Sequence, residues 1–111
     1  NLIIFNCWIP GKANFGKGTK LSKGGIAVVI HRRAKIGKNC LIGTCVTIGG
    51  RSKLYEVPVI GNNVYISTGA KLLGNITIGD NVIIGANSVV LNDIPKNSIA
   101  VGIPARIIDK K

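Results

Sequence analysis

The chain has 111 residues, enough for one domain, and its 46% hydrophobic content comes with only 5% aromatic residues and no Met. Its net charge of +11 favours an anionic partner such as a membrane surface or a phosphate-rich small molecule. Nucleic acid is disfavoured, because the basic residues are scattered and the few aromatics offer no stacking platform. No apolar run approaches the ~20 residues of a membrane span.

The three cysteines, Cys7, Cys40 and Cys45, form no CxxC motif and are accompanied by a single histidine. This composition predicts free thiols in a reducing, cytoplasmic setting rather than a disulfide framework. It also predicts no metal site. Cys40 is expected to point inward, where apolar burial raises a thiol pKa and makes it a poor nucleophile.

A first partial repeat occupies Phe15-Gly16-Lys17-Gly18-Thr19-Lys20 and is followed by Leu21. It is out of phase by three residues with the repeats that come after it. The break falls near Gly24-Gly25, where we expect a bulge or a short loop.

From Ile30 onward every sixth residue is aliphatic, without exception as far as Val90. A small or medium side chain stands four places after each of them. Gly recurs one place after the aliphatic residue and Asn three places after it. The aliphatic positions are Ile30, Ile36, Ile42, Ile48, Leu54, Ile60, Ile66, Leu72, Ile78, Ile84 and Val90, and the Asn positions are Asn39, Asn63, Asn75, Asn81 and Asn87.

Two inward positions in every six, separated by Gly and Asn, indicate short strands joined by turns with left-handed backbone conformations. A helix needs a period near 3.6, and an antiparallel sandwich needs strict alternation. The pattern therefore predicts an all-β fold, a left-handed parallel β-helix of hexapeptide repeats with 18-residue triangular coils stacked ~4.8 Å apart.

We predict a single domain over residues 1–111, with coils over 9–98. Residues 49–58 lack the Gly and Asn marks over part of their length, and the repeat keeps its phase across them. We therefore expect a loop excursion that replaces one face of a coil. Residues 99–111 abandon the repeat and are expected to cap the open end, which would otherwise expose strand edges.

Several of these runs resemble the hexapeptide-repeat acyltransferases, and most closely the serine O-acetyltransferases and their relatives encoded with surface-polysaccharide genes. The runs are Ile60-Gly61-Asn62-Asn63-Val64-Tyr65-Ile66, residues 78–90, and Val101-Gly102-Ile103-Pro104-Ala105-Arg106. The resemblance covers about residues 9–109. It implies a homotrimer, acetyl-CoA bound between neighbouring coils, and a histidine general base acting on an acceptor hydroxyl.

A spacing of 18 predicts a vertical line of small side chains at Gly50, Thr68 and Ala86, a groove in which a pantetheine arm fits. Residues at the corresponding positions of serine acetyltransferases contact coenzyme A, so the resemblance implies cofactor-binding roles for these three. It also implies that Arg106 lies near the phosphates, to which a guanidinium is suited. Ordinary turn packing and a solvated surface Arg are the structural alternatives.

His31 is the only histidine, and its position after inward Ile30 points it outward. The same spacing predicts a column of His31, Gly49, Ser67 and Gly85 beside the cofactor line. A neutral imidazole there is a candidate general base for the acceptor hydroxyl. A surface histidine without a role is the alternative.

The chain departs from its relatives at the catalytic positions. Aligned on residues 47–50, the two histidines of serine acetyltransferases fall on Gly24 and Val57, and the aspartate before the first falls on Lys23. Either His31 has taken over their role or the protein is inactive.

The sequence thus favours an acetyl-CoA-dependent O-acetyltransferase that is serine acetyltransferase-like, with serine or a surface-polysaccharide sugar as acceptor. A non-catalytic trimeric scaffold is the competing hypothesis. A carbonic anhydrase of this fold is excluded, because it needs a zinc site, commonly of three histidines. Aliphatic residues expected on one flat outer face would be covered by trimer formation; they are Val29, Leu41, Val59, Ile83 and Val89.

Overall fold

The computed structural model describes residues 2–4, 7–9, 14–22, 26–51 and 55–110. Within them the chain forms sixteen short strands. None of these residues belongs to a helix long and apolar enough to cross a membrane. The strands are β1 Leu2–Ile4, β2 Cys7–Ile9, β3 Asn14–Phe15, β4 Lys20–Leu21, β5 Val29–Ile30, β6 Lys35–Ile36, β7 Leu41–Ile42, β8 Thr47–Gly49, β9 Val59–Ile60, β10 Tyr65–Ile66, β11 Lys71–Leu73, β12 Thr77–Ile78, β13 Ile83–Ile84, β14 Val89–Val90, β15 Ser98–Gly102 and β16 Ala105–Lys110.

Successive strands pass in turn to three sheets, which form the three faces of a triangular coil. Face 1 has the order β1-β2-β5-β8-β11-β14, face 2 has β3-β6-β9-β12, and face 3 has β4-β7-β10-β13-β15-β16. Coil-to-coil pairing is parallel, as between β10 and β13. Among the described strands, antiparallel pairing is confined to the first and last hairpins, β1/β2 and β15/β16. The predicted left-handed parallel β-helix is confirmed.

The core is a column of aliphatic side chains inside the triangle. Both predicted inward sets are buried wherever they are described; Ser52 and Leu54 lie outside the described residues. The first set comprises Ile30, Ile36, Ile42, Ile48, Ile60, Ile66, Leu72, Ile78, Ile84 and Val90, and the second includes Ala34, Cys40, Val46, Val64, Ala70, Ile76, Val82 and Ser88.

The corners need left-handed backbone conformations, as the Gly and Asn pattern predicts. Asn39, Asn63, Asn81 and Asn87 all have φ between 56° and 60°. Asn tolerates this region better than other residues with a Cβ. At the corner of Asn75 the left-handed residue is instead the preceding Gly74, with φ of 90°.

The N-terminal phase shift of three residues is confirmed by the pairing register. Asn14 pairs with Lys35 and Lys20 pairs with Leu41, so the offset between these coils is 21 rather than 18 residues. The loop expected at Gly24-Gly25 lies outside the described residues.

The segment 49–58 does not replace a face of a coil, so that expectation is wrong. Ile48 on face 1 is followed by Val59 on face 2, and the coil-to-coil offset across the segment is 24, as in the pairing of Ile48 with Leu72. The segment is therefore a six-residue insertion at one corner. Because six is one repeat length, it preserves the phase of the aliphatic positions while shifting every stacking partner.

The chain ends in an antiparallel hairpin of β15 and β16, and β15 extends face 3 by pairing with β13. The outward aliphatic residues do not share one face, contrary to expectation. Leu41 and Ile83 lie on face 3, Val29 and Val89 on face 1, and Val59 on face 2.

Candidate functional site

His31 lies at the corner between faces 1 and 2, which we call the His31 corner (described residues 31–34, 49–51, 55–58 and 73–76). The turn 31–34 is closed by a hydrogen bond of 3.0 Å from the Ala34 N–H to the His31 carbonyl. The His31 N–H donates to the Ile48 carbonyl of the next coil at 2.7 Å. With its backbone fixed from two sides, the half-buried side chain points outward from the coil.

The His31 imidazole accepts a hydrogen bond at Nδ1 from the Arg33 backbone N–H, at 3.0 Å. A neutral imidazole with an acceptor at Nδ1 carries its proton on Nε2. Partial burial lowers the pKa of His31 below its ordinary value of 6.5, and the positive charges of Arg33 and Arg32 lower it further. In this arrangement His31 is neutral near pH 7 and offers a donor, not a lone pair, at Nε2.

Directly above the His31 turn lie two glycines that the fold does not require. A Cβ on Gly49 would have the Thr47 methyl at 3.9 Å as its nearest neighbour, and one on Gly50 would have the Val57 side chain at 3.8 Å. Neither glycine has a positive φ. Their bare backbone leaves room for close approach by another molecule.

The second candidate region is the corner between faces 3 and 1, which we call the Thr68 corner (residues 43–46, 67–70 and 85–88). Here the Thr44 and Thr68 hydroxyls are 3.0 Å apart on adjacent coils. Ala86 lies one coil further along, since Tyr65 pairs with Ile83 at an offset of 18. The three residues form a vertical line of small side chains.

Gly50 does not belong to this line, so the predicted column of Gly50, Thr68 and Ala86 is wrong in its first member. Because the insertion raises the offset to 24, Thr44 occupies that place, and Gly50 lies at the His31 corner. The predicted column of His31, Gly49, Ser67 and Gly85 is split between two corners for the same reason. His31 stacks under Gly49, whereas Ser67 and Gly85 lie at the Thr68 corner.

The C-terminal hairpin continues the Thr68 corner. Ile84 pairs with Ala100, so the register places Gly102 above Ala86, and the Gly102 N–H donates to the buried Ser88 hydroxyl at 3.1 Å. Arg106 is exposed and pairs with Val101 in the same hairpin. The structure thus brings Thr68, Ala86 and Arg106 to one corner.

Two residues of these corners, Thr44 and Arg33, are not predicted by the hexapeptide periodicity. Thr44 could have been found by treating the unmarked residues 51–56 as an insertion rather than as a face. Arg33 could not, because its contacts depend on how the inserted loop folds back.

The two positions that align with the catalytic histidines of serine acetyltransferases carry no histidine in this chain. Val57 packs its side chain against the core, and Gly24 lies outside the described residues. Cys40 is buried, with its thiol 3.2 Å from the Gly61 carbonyl. Among the described residues no cluster of His, Cys, Asp or Glu could hold a metal ion.

Comparison with known proteins identifies the repeat and the fold. Residues 58–92 match the bacterial transferase hexapeptide family (six repeats). This stretch, about a third of the chain, therefore carries the repeats of that family. No curated protein sequence matches it significantly.

Solved structures that resemble the chain include serine acetyltransferases. The soybean enzyme complexed with serine is 43% identical, with a TM-score of 0.82 and a match covering 87% of this chain and 40% of that chain. The enzyme from Brucella abortus strain S19 in complex with coenzyme A is 39% identical, with a TM-score of 0.85, and the match covers 89% of this chain and 40% of that chain. The enzyme from Neisseria gonorrhoeae is also 39% identical, with a TM-score of 0.84 and coverage of 89% and 38%. The chain thus spans about two fifths of these relatives, and the resemblance to serine O-acetyltransferases is confirmed over the β-helix.

Proposed function

We propose that the chain is the β-helix of an acetyl-CoA-dependent O-acetyltransferase that acts on a small molecule with a hydroxyl group. The observation that carries this proposal is the similarity to serine acetyltransferases, of which one is solved with coenzyme A and another with serine. In the reaction the acceptor oxygen attacks the acetyl carbonyl, a C–O bond forms and the C–S bond breaks. The hydroxyl proton ends on the departing sulfur, so free thiol is the measurable product.

We propose acetyl-CoA as the acyl donor, bound along the Thr68 corner. Thr44, Thr68, Ala86 and Gly102 present a line of small side chains with backbone at strand spacing, as a pantetheine arm requires. Arg106, in the hairpin at the end of this line, is the candidate partner for the phosphates.

We also propose that the working unit is a homotrimer with a site shared between subunits. His31 and Gly50 lie at one corner of the triangle, while Thr68 and Ala86 lie at another, so one chain does not bring them together. A second copy whose Thr68 corner faces this His31 corner would complete the site. Face 3 also carries an outward apolar column that a subunit contact would cover: Leu41, Tyr65, Ile83 and Ile99.

A complementation experiment tests the shared site. His31→Ala and Thr68→Trp chains are each expected to be inactive alone, because one lacks the imidazole and the other fills the groove. In mixed trimers formed at random, about one site in four takes both intact residues from different chains and regains activity. Absence of any regain, with mixed trimers verified by mass spectrometry, would refute the shared site.

The role of His31 is open to a direct test, because its Nε2 carries a proton in the described geometry. A general base at Nε2 requires the ring to give up the Arg33 hydrogen bond and change tautomer. Alternatively, Nε2–H donates to the carbonyl oxygen as negative charge develops there. Gln retains an N–H near the Nε2 position and cannot act as a base, so it separates the two roles.

The assay follows thiol release from acetyl-CoA with serine and with surface-polysaccharide sugars as acceptors. If His31 is the base, His31→Ala and His31→Gln both lose about 10²–10⁴-fold in kcat. If it is a donor, His31→Gln keeps a large part of the activity that His31→Ala loses. If the wild type releases no thiol with any of these acceptors, the proposed activity is refuted and the trimeric scaffold is supported.

Serine and a surface-polysaccharide sugar are both proposed acceptors, and the assay decides between them. The two positions that carry the catalytic histidines of serine acetyltransferases are Gly24 and Val57 here, which argues against simple transfer of the serine mechanism. A cytoplasmic location is proposed with the activity, because acetyl-CoA is a cytoplasmic metabolite and the chain has an odd number of cysteines.

A further inference from the structure

The six-residue insertion falls within residues 50–57, here called the inserted loop, of which residues 50, 51 and 55–57 are described. These described residues lie at the His31 corner, on the coil that follows the His31 turn. The two ends of the inserted loop close on each other, since the Val57 side chain lies 3.8 Å from the position of a Cβ on Gly50. Val57 packs against the core and Pro58 is buried, so the returning end is anchored. Tyr55, in the outer part of the inserted loop, is 71% exposed.

One side chain connects this outer part to the coil below. The Arg33 guanidinium lies over the Tyr55 ring, with its carbon 4.0 Å from the ring centroid. Its Nη2 donates a hydrogen bond to the Tyr55 carbonyl. The same guanidinium therefore holds both the ring and the backbone of Tyr55, a combination for which its planar fork of donors is suited.

The backbone of the same residue holds the imidazole. The Arg33 N–H donates to His31 Nδ1 at 3.0 Å, and this hydrogen bond fixes the tautomer. Arg33 is thus half-buried between two groups that are 24 residues apart in sequence, whereas its neighbour Arg32 is exposed.

We propose that Arg33 is a positioning residue that couples the 50–57 loop to the His31 imidazole. With the loop held, the turn 31–34 keeps its geometry and Nδ1 keeps its donor, so the proton stays on Nε2. With the loop released, the imidazole gains rotational freedom and samples both tautomers. The proposal rests on the proposed function only for the reaction that the imidazole serves.

The loop arm of the test uses limited proteolysis, because Arg51 and Lys53 are trypsin sites within the loop. The variants are Arg33→Gln, which removes both contacts of the guanidinium, and Tyr55→Leu, which removes the ring and retains the backbone carbonyl. Cleavage tracks the population of the open loop when opening is fast, and we expect about a tenfold rise in the initial rate at these two sites. Mass spectrometry identifies the cut positions.

Two matched variants serve as controls. Arg32→Gln removes the same charge and one trypsin site from the adjacent exposed residue, and Tyr55→Phe retains the ring and the backbone carbonyl. Both are expected to stay within about twofold of wild type in loop cleavage. Circular dichroism and thermal melting verify that all four variants keep the β-helix.

The imidazole arm uses nitrogen NMR, which is unambiguous because His31 is the only histidine of the chain. We expect wild type, Arg32→Gln and Tyr55→Phe to show the Nε2–H tautomer, and Arg33→Gln and Tyr55→Leu to show a mixture. Unchanged loop cleavage in the last two variants would overturn the role of Arg33 in holding the loop. Faster cleavage with an unchanged tautomer would overturn the coupling. Neither readout uses acetyl-CoA. An inactive wild type would therefore refute the proposed function, while loop cleavage and the tautomer would still test the role of Arg33.

Discussion

The tight stacking of the coils can be tested by adding one methyl group to either of two glycines. Gly43 begins a turn at the Thr68 corner, and its N–H donates to the Ile66 carbonyl of the next coil at 2.7 Å. A Cβ at Gly43 would lie 2.7 Å from the Thr68 nitrogen and 3.0 Å from the Ser67 carbonyl carbon. Both neighbours are backbone atoms, so relief requires the coils to move apart.

Gly49→Ala is the matched control, because the same methyl group meets nothing closer than 3.9 Å there. Ordinary contact begins at 3.4 Å, so Gly43→Ala must open the coil spacing by about 0.7 Å locally. Overpacking of this kind costs about 1–3 kcal/mol, and the stretched hydrogen bond adds about 1 kcal/mol. We therefore expect Gly43→Ala to lower the free energy of unfolding by about 2–4 kcal/mol. Gly49→Ala is expected to leave it unchanged or to raise it by about 0.4–1 kcal/mol, because Ala restricts the unfolded chain.

Urea denaturation followed by circular dichroism measures this difference, at one protein concentration because subunit association would contribute to stability. With a slope of about 1–3 kcal/mol per molar urea, the two midpoints are expected to differ by about 0.7 molar or more. Equal midpoints, or a lower midpoint for Gly49→Ala, would refute the close coil contact at Gly43.

Further predictions concern the core, the imidazole and the assembly. Leu72 is fully buried between the coils of Ile48 and Val90, so Leu72→Ala is expected to lower the free energy of unfolding by about 2–5 kcal/mol. A loss below about 1 kcal/mol, measured by urea denaturation, would contradict the packed interior. Since the pKa of His31 is lowered in the folded state, the unfolded chain binds more protons at this residue. The contribution of His31 to the free energy of unfolding is therefore constant well above pH 6.5 and falls as the pH drops from 6.5 to the folded pKa, and His31→Gln should remove this contribution. Sedimentation equilibrium is expected to give three chains per particle, and a monomer would exclude the shared site. If the charge of +11 helps to attract the coenzyme A phosphates, the KM for acetyl-CoA should rise with added salt, and an unchanged KM would count against that role.

The fold could be predicted from the sequence because a hexapeptide repeat is a local signal. Whether Ile30 or Leu72 points inward depends on its place in one turn of six residues, and every turn repeats the same physics. The left-handed corners follow in the same way, since Asn39 and Asn63 each occupy a position where most side chains would be strained. Such inferences need no knowledge of distant contacts.

The site could be predicted only in part, because stacking partners depend on everything between them. An insertion of one repeat length leaves the phase intact, so Gly50 gave no local sign that it stacks at the His31 corner rather than below Thr68. His31 was correctly placed outward, but its tautomer depends on the Arg33 N–H and on a loop that returns at Tyr55. These contacts are properties of the folded insertion and not of the repeat.

In a β-helix the backbone N–H and C=O groups are largely used in coil-to-coil hydrogen bonds, as those of Gly43 and Ile66 are. A ligand therefore has to be recognised by corner side chains and by segments that break the repeat. Among the described residues such departures include the charged turn at residues 31–33, the inserted loop within 50–57, and the hairpin turn at 102–105. The first two meet at the His31 corner and the third closes the Thr68 corner. That distribution fits the proposed shared site, in which each copy would contribute one corner with an imidazole and a different corner with a line of small side chains.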